Sequence, residues 1–294
     1  MVGGVERVVA NSARSESGAS SIAVDPAILE YYSRAPEEAR LGFGSAQLEA
    51  ERTRELIARH LSPAPVRVLD IGGAAGAYAF WLAELGHDVR LIDATPRLIE
   101  VARAWNETAR RPLTSCVVGD ARSLEIENES VDAVLLLGPL YHLTDGEQRE
   151  LALRQAARVL RPGGLLFAAA ISRWASTLDG LSRELLRDAA FKRIAERDVA
   201  DGRHENPTDR LDYFTTAYFH RPDELQREVV AAGLELVALY GVEGPGWILP
   251  DFDERWRDPA RRSVLLEAAR LVESEPAMHG ASAHLLAVAR KPVA

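Results

Sequence analysis

Five short apolar segments between residues 66 and 171, with helical segments between them, constrain this chain more than any other feature. Val66–Ile71, Asp88–Ile92, Ser115–Val118, Val131–Leu137 and Leu165–Ile171 read as strands, and the first three each end at a carboxylate or a glycine. Ala77–Leu85, stopped at Gly86, and Arg97–Ala109 read as helices, and Thr144 with Glu147 forms a capping box ahead of a helix running to Leu160. Arg161-Pro162-Gly163-Gly164 is a turn leading into the fifth strand. Apolar strands linked by helices make a mostly parallel sheet covered on both faces. A helix at Asp223–Ala232, a strand at Leu234–Leu239 and a last strand at His284–Ala289 raise the expected count to seven strands.

The pattern divides the chain. Residues 1–24, rich in Ser, Gly and Ala, read as a disordered tail. Residues 25–62 read as an N-terminal helical lid, closed by the breaker Ser62-Pro63-Ala64-Pro65, and 63–172 as the α/β core. A first insertion, 173–222, precedes the C-terminal part of the sheet, 223–294, which holds a second insertion at 243–280. The net charge of −9 and the lack of a basic run make a phosphate backbone a poor partner, so nucleic acid is not expected. One cysteine excludes a disulfide framework and a Cys-cluster zinc site, and no other metal-ligand spacing is evident. No apolar run approaches 18 residues and the first 20 contain no apolar signal core, so the expectation is a cytoplasmic chain without a membrane partner.

In a doubly wound sheet, ligands sit at the carboxyl ends of the strands where strand order reverses. Here those ends carry Asp70-Ile71-Gly72-Gly73-Ala74-Ala75-Gly76, then Asp93, then Gly119-Asp120. The glycines at 72, 73 and 76 let backbone N–H groups approach a ligand, but they miss the 1-3-6 spacing of a dinucleotide loop. Asp70 would also repel a pyrophosphate; it suits an amino group. Asp93 can take both hydroxyls of a ribose and Asp120 can accept from an adenine amine. Amine, ribose and adenine together describe S-adenosylmethionine (SAM).

On these residues, residues 66–171 resemble the class I SAM-dependent methyltransferases, in their small-molecule, natural-product branch. The matching stretches are Val68-Leu69-Asp70-Ile71-Gly72, Asp93, Gly119-Asp120-Ala121, Leu137-Gly138-Pro139-Leu140-Tyr141-His142-Leu143 and Leu160-Arg161-Pro162-Gly163-Gly164. One departure stands out: the family places glycine where this chain has Ala74. The resemblance implies a Rossmann-like sheet with a helical lid and a substrate cap. It also implies a SAM site built from Asp70, Gly72, Gly73, Gly76, Asp93, Asp120, Ala121 and Gly138. Tyr31-Tyr32 and Glu38-Ala39-Arg40-Leu41 are similar to a lid helix of this branch, with Arg40 set to pair with the carboxylate of SAM.

The candidates for moving a proton or orienting a nucleophile are His142, Tyr32 and His220. The insertions hold nine of the nineteen aromatic residues. Trp174, Tyr213, Tyr218 and Trp247 from them, with Tyr31 and Tyr141, are the rings expected around an apolar or aromatic acceptor. The implied activity is methyl transfer to N, C or O of a small metabolite in specialised metabolism. The alternative is a protein of this fold that binds SAM without transferring its methyl. A homodimer is left open.

Overall fold

The computed structural model describes residues 25–35 and 37–293. The tail expected over residues 1–24 lies outside the described residues. The chain folds around one sheet whose first strands are β1 (Arg67–Ile71), β2 (Asp88–Asp93), β3 (Ser115–Val118), β4 (Val131–Leu136) and β5 (Leu160–Ser172). After them come β6 (Arg203–His204), β7 (Ala217–His220), β8 (Glu235–Gly241) and β9 (His284–Arg290). Strands β3, β2, β1, β4 and β5 are parallel neighbours in that order; β9 follows antiparallel to β5, and β8, antiparallel to β9, follows in turn. These seven are the strands expected from the sequence.

Adjacent residues of each strand point to opposite faces, and each face has its own core. Val68, Leu91, Ala133, Leu135 and Phe167 pack with helices α2 (Ala46–His60), α3 (Ala77–Glu84) and α4 (Pro96–Thr108). Leu69, Ile71, Val134 and Leu136 pack on the other face with α6 (Gly146–Val159) and α9 (Pro222–Ala231). Burial on both faces explains why the strand segments are apolar without alternation. Before α2 lies α1 (Pro26–Arg34) with a 3₁₀ turn, Glu37–Gly42; between β4 and α6 lies α5, only Pro139–His142.

Two local expectations need correction. Asp145, not Thr144, caps α6, its carboxylate accepting the Glu147 N–H at 2.9 Å. The segment Arg161–Gly164 is a kinked start of β5 rather than a turn ahead of it: Gly163 sits at φ +79° and its N–H bonds the carbonyl of Lys291 in the neighbouring chain segment.

The first insertion forms α7 (Ala175–Ser182), α8 (Ala189–Asp201) and the β6/β7 ribbon, and the second forms α10 (Phe252–Arg257) and α11 (Pro259–Val272). Ile171 of β5 pairs with β9 on one side and β7 on the other. The ribbon is therefore carried on the side of β5 where β4 has already ended, above the carboxyl ends of the parallel strands. Some insertion rings pack on one another, as with Phe191 against Tyr213 and Phe252 stacked on Trp256.

Candidate active site

Strand order reverses between β1 and β4, and a cavity of about 430 Å³ opens there. Its wall includes Gly72, Ala74, Asp93, Asp120, Ala121 and Gly138 from the strand ends and Asp25, Ile28 and Tyr32 from the lid. The backbone makes this space. A Cβ at Gly72 would come within 2.5 Å of Pro139, and one at Gly138 within 2.8 Å of the Gly72 carbonyl. Gly72 also has φ +69°, in the left-handed region. Ala74, where the family has glycine, takes φ +52° despite its methyl. Its N–H donates to Oδ2 of Asp93 at 2.8 Å, and the Thr95 N–H donates to Oδ1 at 2.8 Å. The Thr95 side chain also bonds this carboxylate, which lines the cavity. Asp120 lines it too, but both its oxygens are held by the Arg122 guanidinium at 2.8 and 2.6 Å.

Asp70 lines a smaller adjoining cavity of about 80 Å³, with Gly72, Gly73 and Arg40. It is fully buried, and neither carboxylate oxygen has a hydrogen-bond partner among the described residues. Burial, with Asp93 nearby, pushes its pKa up to about 7. A buried carboxyl left unsatisfied in this way is costly unless a ligand completes it. Gly73 is required beneath it, since a Cβ there would collide with Oδ2. Arg40 is less available than the resemblance implies. Three of its five N–H donors are committed, two to Glu49 at 2.7 and 3.0 Å and one to Glu37 at 2.8 Å.

A third cavity of about 240 Å³ lies under the insertions. Tyr31, Tyr141, Tyr213 and Trp247 line it, as do Phe191, Phe214 and Phe219. Tyr32, Glu37 and Tyr141 face both this chamber and the strand-end cavity. Trp174 and Tyr218 line none of the three cavities. Trp174 packs on Gly280, while the ring of Tyr218 lies 3.8 Å under the Arg149 guanidinium and its hydroxyl accepts from Arg173.

His142 and Tyr32 are brought together at the junction. Nδ1 of His142 faces the Thr216 carbonyl at 3.3 Å and so carries the proton; Nε2 then accepts from the Tyr32 hydroxyl at 2.7 Å. Burial lowers the His142 pKa to about 4 and lifts the Tyr32 hydroxyl well above its usual value. The neutral pair is packed by Tyr31, Tyr141 and Phe214. His220 does not join them. It is fully buried on β7, bonded to Glu228 at 3.2 Å, and lines none of the three cavities, so the catalytic expectation for it is withdrawn.

A second charged group was invisible in the sequence. His284 Nδ1 lies 2.6 Å from Glu243 and 3.9 Å from Glu49, which Arg40 holds in turn. Burial opposes the charge on His284, but Glu49 and Glu243 outweigh it and raise the pKa to about 9. Glu49, Glu243 and His284 are spaced so that they could hold a metal ion, a grouping the sequence did not suggest. As it stands, the His284 proton and the Arg40 guanidinium occupy the cation positions. The residues come from α2, the segment after β8 and the start of β9, and no linear spacing links them.

Residues 69–168 match the family described as a methyltransferase domain. An uncharacterized methyltransferase of Mycobacterium tuberculosis (strain ATCC 25618 / H37Rv) is 38% identical over 131 residues, covering 43% of this chain and 50% of that protein. The ubiquinone biosynthesis O-methyltransferase of Xanthomonas axonopodis pv. citri (strain 306) is 34% identical over 125 residues, 40% of this chain and 48% of that protein. The chain spans about half the length of the curated relatives it matches. Among solved structures, a SAM-dependent methyltransferase of Thermotoga maritima, described as a possible histamine N-methyltransferase, superposes with a TM-score of 0.54. It covers 90% of this chain and 99% of that one at 19% identity, a likeness that speaks for the fold. Residues 69–168 thus match a methyltransferase domain, carried on a fold shared with a solved SAM-dependent methyltransferase. No helix among the described residues is long and apolar enough to cross a membrane.

Proposed function

We propose that this chain is a SAM-dependent methyltransferase acting on a small acceptor with an apolar or aromatic body. The observation that carries the reading is the junction itself: Tyr32 and Tyr141 face both the strand-end cavity and the aromatic chamber. The donor set fits SAM. The unsatisfied carboxyl of Asp70 suits its ammonium, the cavity-lining carboxylate of Asp93 suits its ribose, and Asp120 and Ala121 border the space left for the base. Arg40, with two N–H donors uncommitted, and the charged His284 beside it suit its carboxylate.

When bound, SAM supplies a methyl on a positively charged sulfur. The chain's task is then to hold the acceptor atom in line, exclude water and move one proton. Held geometry of this kind is worth up to about 7–11 kcal/mol in ideal cases. The Tyr32 oxygen takes the acceptor's proton as its own passes to Nε2 of His142, which is unprotonated at neutral pH. The Thr216 carbonyl steadies the ring through Nδ1.

The test is S-adenosylhomocysteine release from the purified protein with SAM and a panel of phenols, catechols and aryl amines. Turnover with any of them supports the proposal. Tight SAM binding with no turnover across the panel would favour the second reading, a protein that uses this pocket without methyl transfer.

A further inference from the structure

We propose that Arg97 is a positioning residue that latches the lid over the cofactor cavity, holding Tyr32 on His142 and slowing exchange of the adenosyl ligand. The inference rests on the SAM reading of that cavity and extends it to the control of its entrance.

Arg97 lies in the first turn of α4, where a cation is disfavoured by the helix dipole, and that turn contains no acidic residue to offset it. The guanidinium is spent on the lid instead. Its Nη2 donates to the Tyr32 carbonyl at 2.9 Å and to the Ala35 carbonyl at 3.0 Å, and Nε donates to Tyr32 at 3.2 Å. These carbonyls belong to the end of α1, where helix acceptors have no partner of their own and a cation is favoured. The same guanidinium pairs with Glu38 at 3.2 Å, so one side chain grips the lid on both sides of residue 36.

What the latch holds is the cavity wall. Ile28 and Tyr32 of α1 line the large cavity, and Tyr31 and Tyr32 line the aromatic chamber. Opposite Arg97, α1 is held more lightly, by one Thr215 hydroxyl bond at 3.3 Å to Ala27, the Tyr31–Phe214 ring contact and the Tyr32–His142 bond. The anchor is also tied to the cofactor subsite. Asp93 accepts the Thr95 N–H, and Pro96 sets the helix start, so the residue placed for the ribose and the lid latch sit on one rigid five-residue segment.

The experiment follows dissociation of radiolabelled S-adenosylhomocysteine from the full chain, chased with unlabelled ligand, beside a thermal melt of each protein. Arg97→Ala should raise the dissociation rate by at least about tenfold, the worth of one charge-assisted hydrogen bond. Arg97→Lys, which keeps the charge but loses the planar fork, should fall between it and the wild type. Glu38→Gln, which leaves the two carbonyl contacts in place, should change the rate much less than Arg97→Ala. An unchanged rate in Arg97→Ala, or a lower melting temperature with no change in rate in all three variants, overturns the latch while the SAM reading stands. Failure of the wild type to bind the probe overturns both.

Discussion

The Tyr32 hydroxyl meets Nε2 of His142 at 2.7 Å across 110 residues of sequence, joining the lid to the short helix after β4. Because the Thr216 carbonyl holds the proton on Nδ1, this bond has one direction: Tyr32 donates and the imidazole accepts. The two side chains therefore act as a unit. Tyr32→Phe and His142→Ala should each lower turnover by about 10²–10⁴-fold, the usual worth of a positioned base, and the double variant should be little worse than either single one. Affinity for S-adenosylhomocysteine in His142→Ala should stay near wild type. Turnover of the wild type should fall on the acid side near pH 4 rather than near 6.5, where an ordinary histidine titrates. Wild-type turnover in both single variants would reduce the pair to a structural contact.

Asp70 gives a prediction with two opposite signs. Its carboxyl is buried and unsatisfied, with a pKa raised to about 7, so ionisation costs the unliganded fold stability as pH rises from about 4 through 7. Asp70→Asn removes the ionisation though not the burial of a polar group, so the free variant should gain in stability on the wild type as pH rises through that window. The same change should weaken SAM binding, since the ammonium loses its charged partner. Calorimetry in buffers of different ionisation enthalpy should detect proton release on SAM binding near pH 6.5 in the wild type and none in the variant. Tighter SAM binding by Asp70→Asn would remove Asp70 from the amino-group role.

Much of this was legible in the sequence. Strands buried on both faces leave largely apolar runs, so Val131–Leu137 and its neighbours announce the sheet in the sequence alone. Asp70 and Asp93 were legible because each stands at or next to the end of such a run. What failed is what a linear pattern does not encode. Nothing near His220 says that it faces Glu228 rather than the cavity, and the rings of Trp174 and Tyr218 carry the same aromatic signal as those of Tyr213 and Trp247. The role of Thr216 is played by its carbonyl, which any residue could supply. Arg97 likewise spends its donors on main-chain oxygens, and Glu49, Glu243 and His284 meet only because β9 lies between β5 and β8.

His284 should make the protein sensitive to alkali. Its folded pKa of about 9 lies above the ordinary value near 6.5, so its stabilising contribution is complete below about pH 6.5 and is lost as pH rises through about 9. A melting-temperature series from pH 6 to 10 should decline across that window. In His284→Gln the decline should flatten and the protein should be less stable at pH 6, where Glu49 and Glu243 would lose the imidazolium between them. A slope unchanged in the variant would assign the alkaline loss to other groups.

Ala74 is where this chain departs from the family it resembles, and the structure gives the departure a cost. At φ +52° its Cβ crowds the neighbouring carbonyl, which disfavours an L residue by about 1–2 kcal/mol. Glycine would relieve that strain but would lose more freedom on folding, by about 0.4–1 kcal/mol. The difference favours glycine slightly, so Ala74→Gly should leave stability unchanged or raise it by up to about 1.6 kcal/mol. The N–H that Ala74 donates to Asp93 is a main-chain bond and survives the change. SAM affinity should therefore match the wild type. Ala74→Val tests the same account from the other direction: a β-branched residue in the left-handed region should destabilise the loop and weaken binding together. Isothermal titration with SAM and chemical denaturation of the three proteins decide the matter. A valine variant that binds as well as the alanine parent would show that residue 74 does not shape the cofactor loop.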